Sequence, residues 1–147
     1  MTTEFDLATQ LMGMLGELHD IVRQIQRVRT QIDGLSGRVA TASDTGRALA
    51  QLDEAANSVL QQLYEPDAKT ESDLLNYPMR LNVRIAYLED EVDYGDGAPT
   101  EQFRQMAVEY RSALDAEVAR WKTIVTTDLP RLNRQLAARG LPQITIR

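Results

Sequence analysis

From Leu7 the apolar residues recur at Leu11, Met14, Leu18, Ile21, Ile25, Val28, Ile32 and Leu35, a strict alternation of four and three steps. Such spacing places them on one face of a single long helix as a heptad seam. Leu15 and Val22 sit beside the seam and widen it, which suits a helix with two neighbours in a bundle better than a two-stranded coil. Gly13 and Gly16 lie off the seam, each costing ~1 kcal/mol relative to alanine, so the first turns are expected to be the looser ones. Asp33-Gly34-Leu35-Ser36-Gly37 is expected to end this helix at about residue 34, with a glycine in the left-handed conformation. After a loop, Ser43 or Asp44 can cap a second helix over about 44–65, with its seam at Leu49, Leu52, Ala56, Val59 and Leu63.

Pro66 to Ser72 lacks apolar periodicity and reads as a polar connection. Tyr77 is disfavoured from the α region by the proline after it, and Pro78 suits a first helical position, so a third helix is expected over about 78–94. It carries Leu81, Ile85, Leu88 and Val92. Gly95 and Gly97 punctuate its end, and Thr100 with Glu101 supplies a capping hydroxyl and an acid for the next start. The fourth helix, over about 101–139, has a broad face of Phe103, Met106, Tyr110, Leu114, Val118, Trp121, Val125, Leu129, Leu132 and Leu136. Pro130 lacks an N–H and clashes with the carbonyl four residues back, so a kink is expected near Thr126 to Pro130, with Asp128 as a possible restarting cap. Gly140, Leu141 and Pro142 stop the helix and leave Gln143 to Arg147 as an extended tail. The pattern therefore predicts an all-α, mainly antiparallel four-helix bundle in a single domain over 1–147, with long first and last helices. Two helical hairpins packed end to end are the alternative.

Composition narrows the chemistry. The chain has 147 residues, enough for one domain with a real core, and no cysteine, which excludes a disulfide scaffold, a thiolate zinc site and a cysteine nucleophile. A net charge of −6 argues against nucleic acid as a partner. The charge is uneven: ten acids against three bases from Glu65 to Glu101, and eight bases against four acids from Gln102 to Arg147. The two segments are expected to lie side by side. Met1 to Asp6 has no basic segment leading into an apolar core, and no run approaches the ~18 apolar residues of a membrane span, so neither a signal peptide nor membrane binding is expected.

Between Leu74 and Ile144 the blocks LNYPMRLN, AYLEDEVDYGDGAPTEQF, LDAEVARWKTIVTTDLPRLN and RGLPQI occur in order. Asn76, Tyr77, Pro78, Arg80, Leu81 and Asn82 carry one part of this pattern, and Gly95, Asp96, Ala98, Pro99, Thr100 and Gln102 a second. The stretch resembles the C-terminal helical region of bacterial BNR-repeat, sortilin-like propeller proteins of the glycosyl hydrolase type. The resemblance implies a large β-propeller before this region and an envelope or secreted parent. The chain itself has no propeller repeats and no Asp-box pattern, so an excised domain or a stand-alone relative is expected, and Met1 can be either a native or an engineered start. Hydrolase residues of such proteins belong to the propeller, so none transfers here.

Few residues suggest a site of their own. Glu89, Asp90, Glu91, Asp93 and Asp96 crowd one turn, yet a solvated acidic helix end explains them better than a glycosidase pair, which needs two acids flanking a sugar-sized cleft. As a calcium loop the turn from Glu89 to Asp96 fails, since Tyr94 stands where glycine is required and Thr100 where the twelfth-position glutamate belongs. A small calcium-binding or enzymatic domain using that turn remains the rival function. His19 is the only histidine and lacks a Glu-x-x-His spacing, so it reads as a partly exposed surface residue. Trp121, Tyr110, Phe103 and Tyr87 read as core or flank residues, and Arg131, Arg134 and Arg139 as a solvated face. No catalytic, cofactor or metal residue is assigned. The expected function is a non-catalytic interaction or accessory module, its partner a protein: its own propeller or a second copy. Because the nine seam positions span ~42 Å and helix three only ~25 Å, apolar surface is expected to remain near Leu7, Leu11 and Met14 as the interaction surface.

Overall fold

The computed structural model describes residues 4–64, 80–93 and 100–147. Outside the loop at 37–43 and the segment 139–147 nearly all of these are helical, with no strand among them: α1 (Glu4–Ser36), α2 (Asp44–Leu63), α3 (Leu81–Asp93), α4 (Glu101–Thr123), a π-helical turn (Ile124–Asp128) and α5 (Leu129–Ala138). The last three follow one another without a break, so there are four helical runs, in the number and order predicted. The expected connection over 66–72, the start at Pro78 and the glycines 95 and 97 lie outside the described residues.

The helix starts follow from local chemistry. Ser43 caps α2, its Oγ accepting the Gly46 N–H at 3.0 Å and donating to the Ala40 carbonyl at 2.6 Å. Thr100 does the same for α4, its Oγ1 accepting the Phe103 N–H at 3.2 Å. The end of α1 differs from expectation. Gly34 is helical, and neither it nor Gly37 takes a positive φ; α1 closes with a tight turn in which the Arg38 N–H donates to the Leu35 carbonyl at 2.9 Å. Among the described residues a left-handed glycine stands at the other end of the chain. Gly140 has φ 71°, and the Gly140 and Leu141 N–H groups donate to Ala137 and Leu136 carbonyls at 3.0 and 2.9 Å, the paired bonds of a Schellman motif.

At Pro130 the helix widens. Thr123, Asp128 and Leu129 all keep right-handed helical dihedrals, and the Leu129 N–H donates to the Ile124 carbonyl, five residues back. The π turn, in place of the expected kink, takes up the steric demand of the proline. Asp128 makes no capping bond, because the helix never stops there to need one. The insertion also re-phases the apolar face: buried positions run Trp121, Ile124, Leu129, Leu132, Leu136, with one step of five across the π turn. Ile124 is thereby buried where Val125 was expected, and Val125 is only half-buried.

The chain divides into two compact units, Met1–Asp20 with Gln61–Glu117, and Ile21–Leu60 with Val118–Arg147. In the first, Leu7, Leu11, Met14 and Leu18 of α1, Leu81, Ile85, Leu88 and Val92 of α3, and Ala107 and Leu114 of α4 are buried. In the second, the core is Val22, Ile25, Val28, Ile32 and Leu35 of α1, Leu49, Leu52, Ala56 and Val59 of α2, and the face running from Trp121 to Leu136. Val39 of the loop and Ile144 of the tail join it. Polar bonds tie the three helical runs of this second unit together. Arg29 donates to Asp53 and Asn57, each at 2.9 Å; Trp121 Nε1 donates to Gln24 Oε1 at 2.9 Å; and Arg120 donates to Ser58 at 2.8 Å. The indole is thus buried with its N–H satisfied, the condition under which tryptophan is tolerated in a core.

Candidate functional site

Within the first unit, α1 positions Leu7, Gln10, Gly13, Met14 and Glu17 recur at three- and four-residue steps and so share one face, as do Arg104, Ala107, Val108 and Arg111 on α4. Together they line an open groove of about 590 Å³. Buried Leu7, Met14 and Ala107 give it an apolar floor, Gly13 leaves space where a Cβ would meet nothing within 4 Å, and Val108 stands at the rim, 69% exposed.

One end of the groove is closed by charge. The Arg111 guanidinium donates to both Glu17 carboxylate oxygens, at 2.6 and 3.2 Å, and also to Asp115 through Nε at 3.0 Å and through Nη2. A planar fork answered by two carboxylates is the strong form of this contact. Hydrogen bonding from Arg111 holds the Glu17 and Asp115 carboxyls below their usual range, and the two acids raise the guanidinium in return. A carboxyl lowered in the folded state contributes stability at pH values above its unfolded pKa, near 4, and loses it as pH falls through the folded value. Arg111→Gln is therefore expected to lower the urea midpoint at pH 7 in dilute buffer, and the gap to wild type should close as pH is taken below 4. The groups are half exposed, so the gap should also shrink in 1 M salt. An equal gap at pH 7 and pH 2.5 would show that Arg111 acts through packing alone.

The interaction surface expected at Leu7, Leu11 and Met14 is corrected by their burial, at 2%, 0% and 3% exposure. Ala107 and Leu114 of α4 belong to the same unit, so the cover of this end of α1 does not depend on the short α3 alone. Among the described residues the exposed large apolar side chains are instead Phe5 (78%), Met12 (61%), Val108 (69%) and Tyr87, all of them in this unit. Phe5 and Met12 were legible as apolar residues seven apart and off the seam, as was Val108 beside Ala107. No protein-family model, curated protein or solved structure matches the chain.

His19 is exposed. Glu89 is half-buried and Asp90 and Glu91 are exposed, while the side chains of Asp93 and Asp96 lie outside the described residues, as do Asn76, Tyr77 and Pro78 of the resembling blocks. Among the described residues no group of three His, Asp or Glu side chains is placed to hold a metal ion. Among the described residues no helix is long and apolar enough to cross a membrane. Phe103 and Tyr110 are half-buried, and Arg131, Arg134 and Arg139 form an exposed face.

Proposed function

We propose that this chain is a non-catalytic helical interaction module, the accessory domain of a propeller-containing protein of the glycosyl hydrolase type, and that it docks a second copy of itself through the α1–α4 groove. The observation that carries the reading is the confinement of every exposed large apolar side chain, among the described residues, to one of the two units. Single exposed apolar residues are ordinary, but Val108 projects beside an apolar groove with an open glycine in its floor. The charge at the rim favours a second copy as the occupant: Arg111 is answered by Glu17 and Asp115 and Arg104 by Glu101, so two copies of this face meet across a two-fold axis without opposing an uncompensated charge of one sign. The propeller half of the reading is supported by the sequence resemblance alone.

The test is sedimentation over a range of concentrations for wild type and Val108→Glu. At 69% exposure Val108 can be charged without disturbing the core, so the variant should keep its helical content and melting temperature. Wild type is expected to pass from monomer to dimer in the micromolar range, and the variant to stay monomeric. A wild-type chain still monomeric at several hundred micromolar would overturn the self-docking.

A further inference from the structure

The segment after α5, expected from sequence to be a plain tail, is seated in the second unit by two side-chain carboxamides. Asn133 of α5 donates to the Ile144 carbonyl at 2.9 Å and accepts the Ile144 N–H at 2.7 Å. Gln31 of α1 does the same for the next residue, donating to the Thr145 carbonyl at 2.6 Å and accepting its N–H at 2.9 Å. In an extended chain consecutive residues turn their N–H and C=O groups to opposite edges. The segment is thus held along both edges, as a strand is held between two neighbours, but by amide side chains on helices. Side chains alternate accordingly: Ile144 is 2% exposed, Thr145 is exposed and Ile146 is half-buried.

Such a seat reads backbone through the two amides and side-chain shape through one buried aliphatic position, the two components of extended-peptide recognition. Neither amide depends on which side chain the bound residue carries. Beside the seated segment lies an open groove of about 640 Å³, walled by Val125, Leu129, Pro130 and Arg134 on one side and by residues 143–147 themselves on the other, so there is room next to the segment. The connection to α5 is only Gly140, at φ 71°, with Leu141 and Pro142, so release of the segment need not disturb the helix. We propose that this seat is an extended-peptide binding site, filled in cis by residues 143–147, which accepts in trans a segment of the same aliphatic–hydroxyl–aliphatic pattern. The cis segment acts as a built-in competitor with an effective concentration on the order of millimolar, as expected for a short tether. The site lies in the second unit and does not rest on the self-docking of the first.

The test uses a fluorescein-labelled synthetic peptide of residues 141–147 and the full chain, as wild type and as Ile144→Asp, which should expel the cis segment. Anisotropy titrations are expected to show the variant binding the peptide at least tenfold more tightly than wild type, with Asn133→Ala added to the variant weakening it again. A peptide with aspartate in place of its first isoleucine should bind neither protein. A folded variant that does not bind, or that binds both peptides equally, overturns the proposal. So does a variant that fails to fold, since the second unit then cannot stand with the segment released. Amide exchange on wild type reads the same question without a substitution: Ile144 and Thr145 should exchange well before Ile25 and Leu132, and protection equal to theirs would overturn release of the segment.

Discussion

Leu11→Glu is expected to abolish cooperative folding of the first unit. Leu11 has no exposed surface, so the substitution removes a buried aliphatic side chain and leaves a carboxylate inside. Loss of a buried leucine alone costs ~2–5 kcal/mol, and an unpaired buried charge adds several more unless the acid takes up a proton. The total rivals the ~5–15 kcal/mol by which a domain is stable. Read from the heptad pattern alone, the same substitution would merely remove a sticky patch and give a helical monomer. Burial reverses that expectation. Circular dichroism during heating should show the loss, with Phe5→Glu as the control, since at 78% exposure it removes almost no buried area. A Leu11→Glu chain melting within a few degrees of wild type would mean that this face of α1 meets solvent.

Gly46→Ala should be the most damaging single-methyl change in the second unit. A Cβ at this position would lie 2.2 Å from the Ala40 carbonyl oxygen and 3.0 Å from both the Ala40 carbonyl carbon and the Thr41 oxygen. All three are backbone atoms, so no side chain can swing away; the loop itself must move. That loop is fastened to the same carbonyl, because Ala40 accepts both the Ser43 N–H and the Ser43 hydroxyl, and Ser43 caps α2 through the Gly46 N–H. Crowding of this kind costs ~1–3 kcal/mol and a lost cap ~1 more, against a gain of ~1 for alanine's helix propensity. A net loss of about 1–3 kcal/mol corresponds to roughly 3–10 °C in melting temperature for a chain of this size. Gly34→Ala gives the opposite sign, since that glycine is helical with nothing within 4 Å of its Cβ, and should gain up to about 1 kcal/mol. Equal effects of the two substitutions would show that propensity, not contact, decides at Gly46.

The seam of α1 illustrates how far pattern reading reaches. Eight of its nine positions are buried, and the exception, Ile21, is half-buried while its neighbour Val22 is inside. Leu49, Leu52, Ala56, Val59 and Leu63 of α2 are all buried as read, and the Ser43 and Thr100 caps form the expected bonds. On α4 the reading weakens: Phe103, Met106 and Tyr110 are half-buried, whereas Ala107 is inside. Large apolar residues dominate a pattern search, but a small residue is what permits close approach of a neighbour, and its burial depends on that neighbour.

The groove and the peptide seat were less legible for the same reason. Gln31 and Asn133 are polar residues on helices, unremarkable until Ile144 and Thr145 are brought to them across 114 and 11 residues of chain. Arg111 and Glu17, 94 positions apart, are no nearer in sequence terms. By itself the sequence determined the helices, the capped starts of α2 and α4 and most of the buried faces, because those depend on residues within one or two turns of each other. Only the tertiary structure decided that Leu7, Leu11 and Met14 are interior, that Pro130 is met by a π turn, and that residues 143–147 are bound, because each depends on a partner surface that no local spacing encodes.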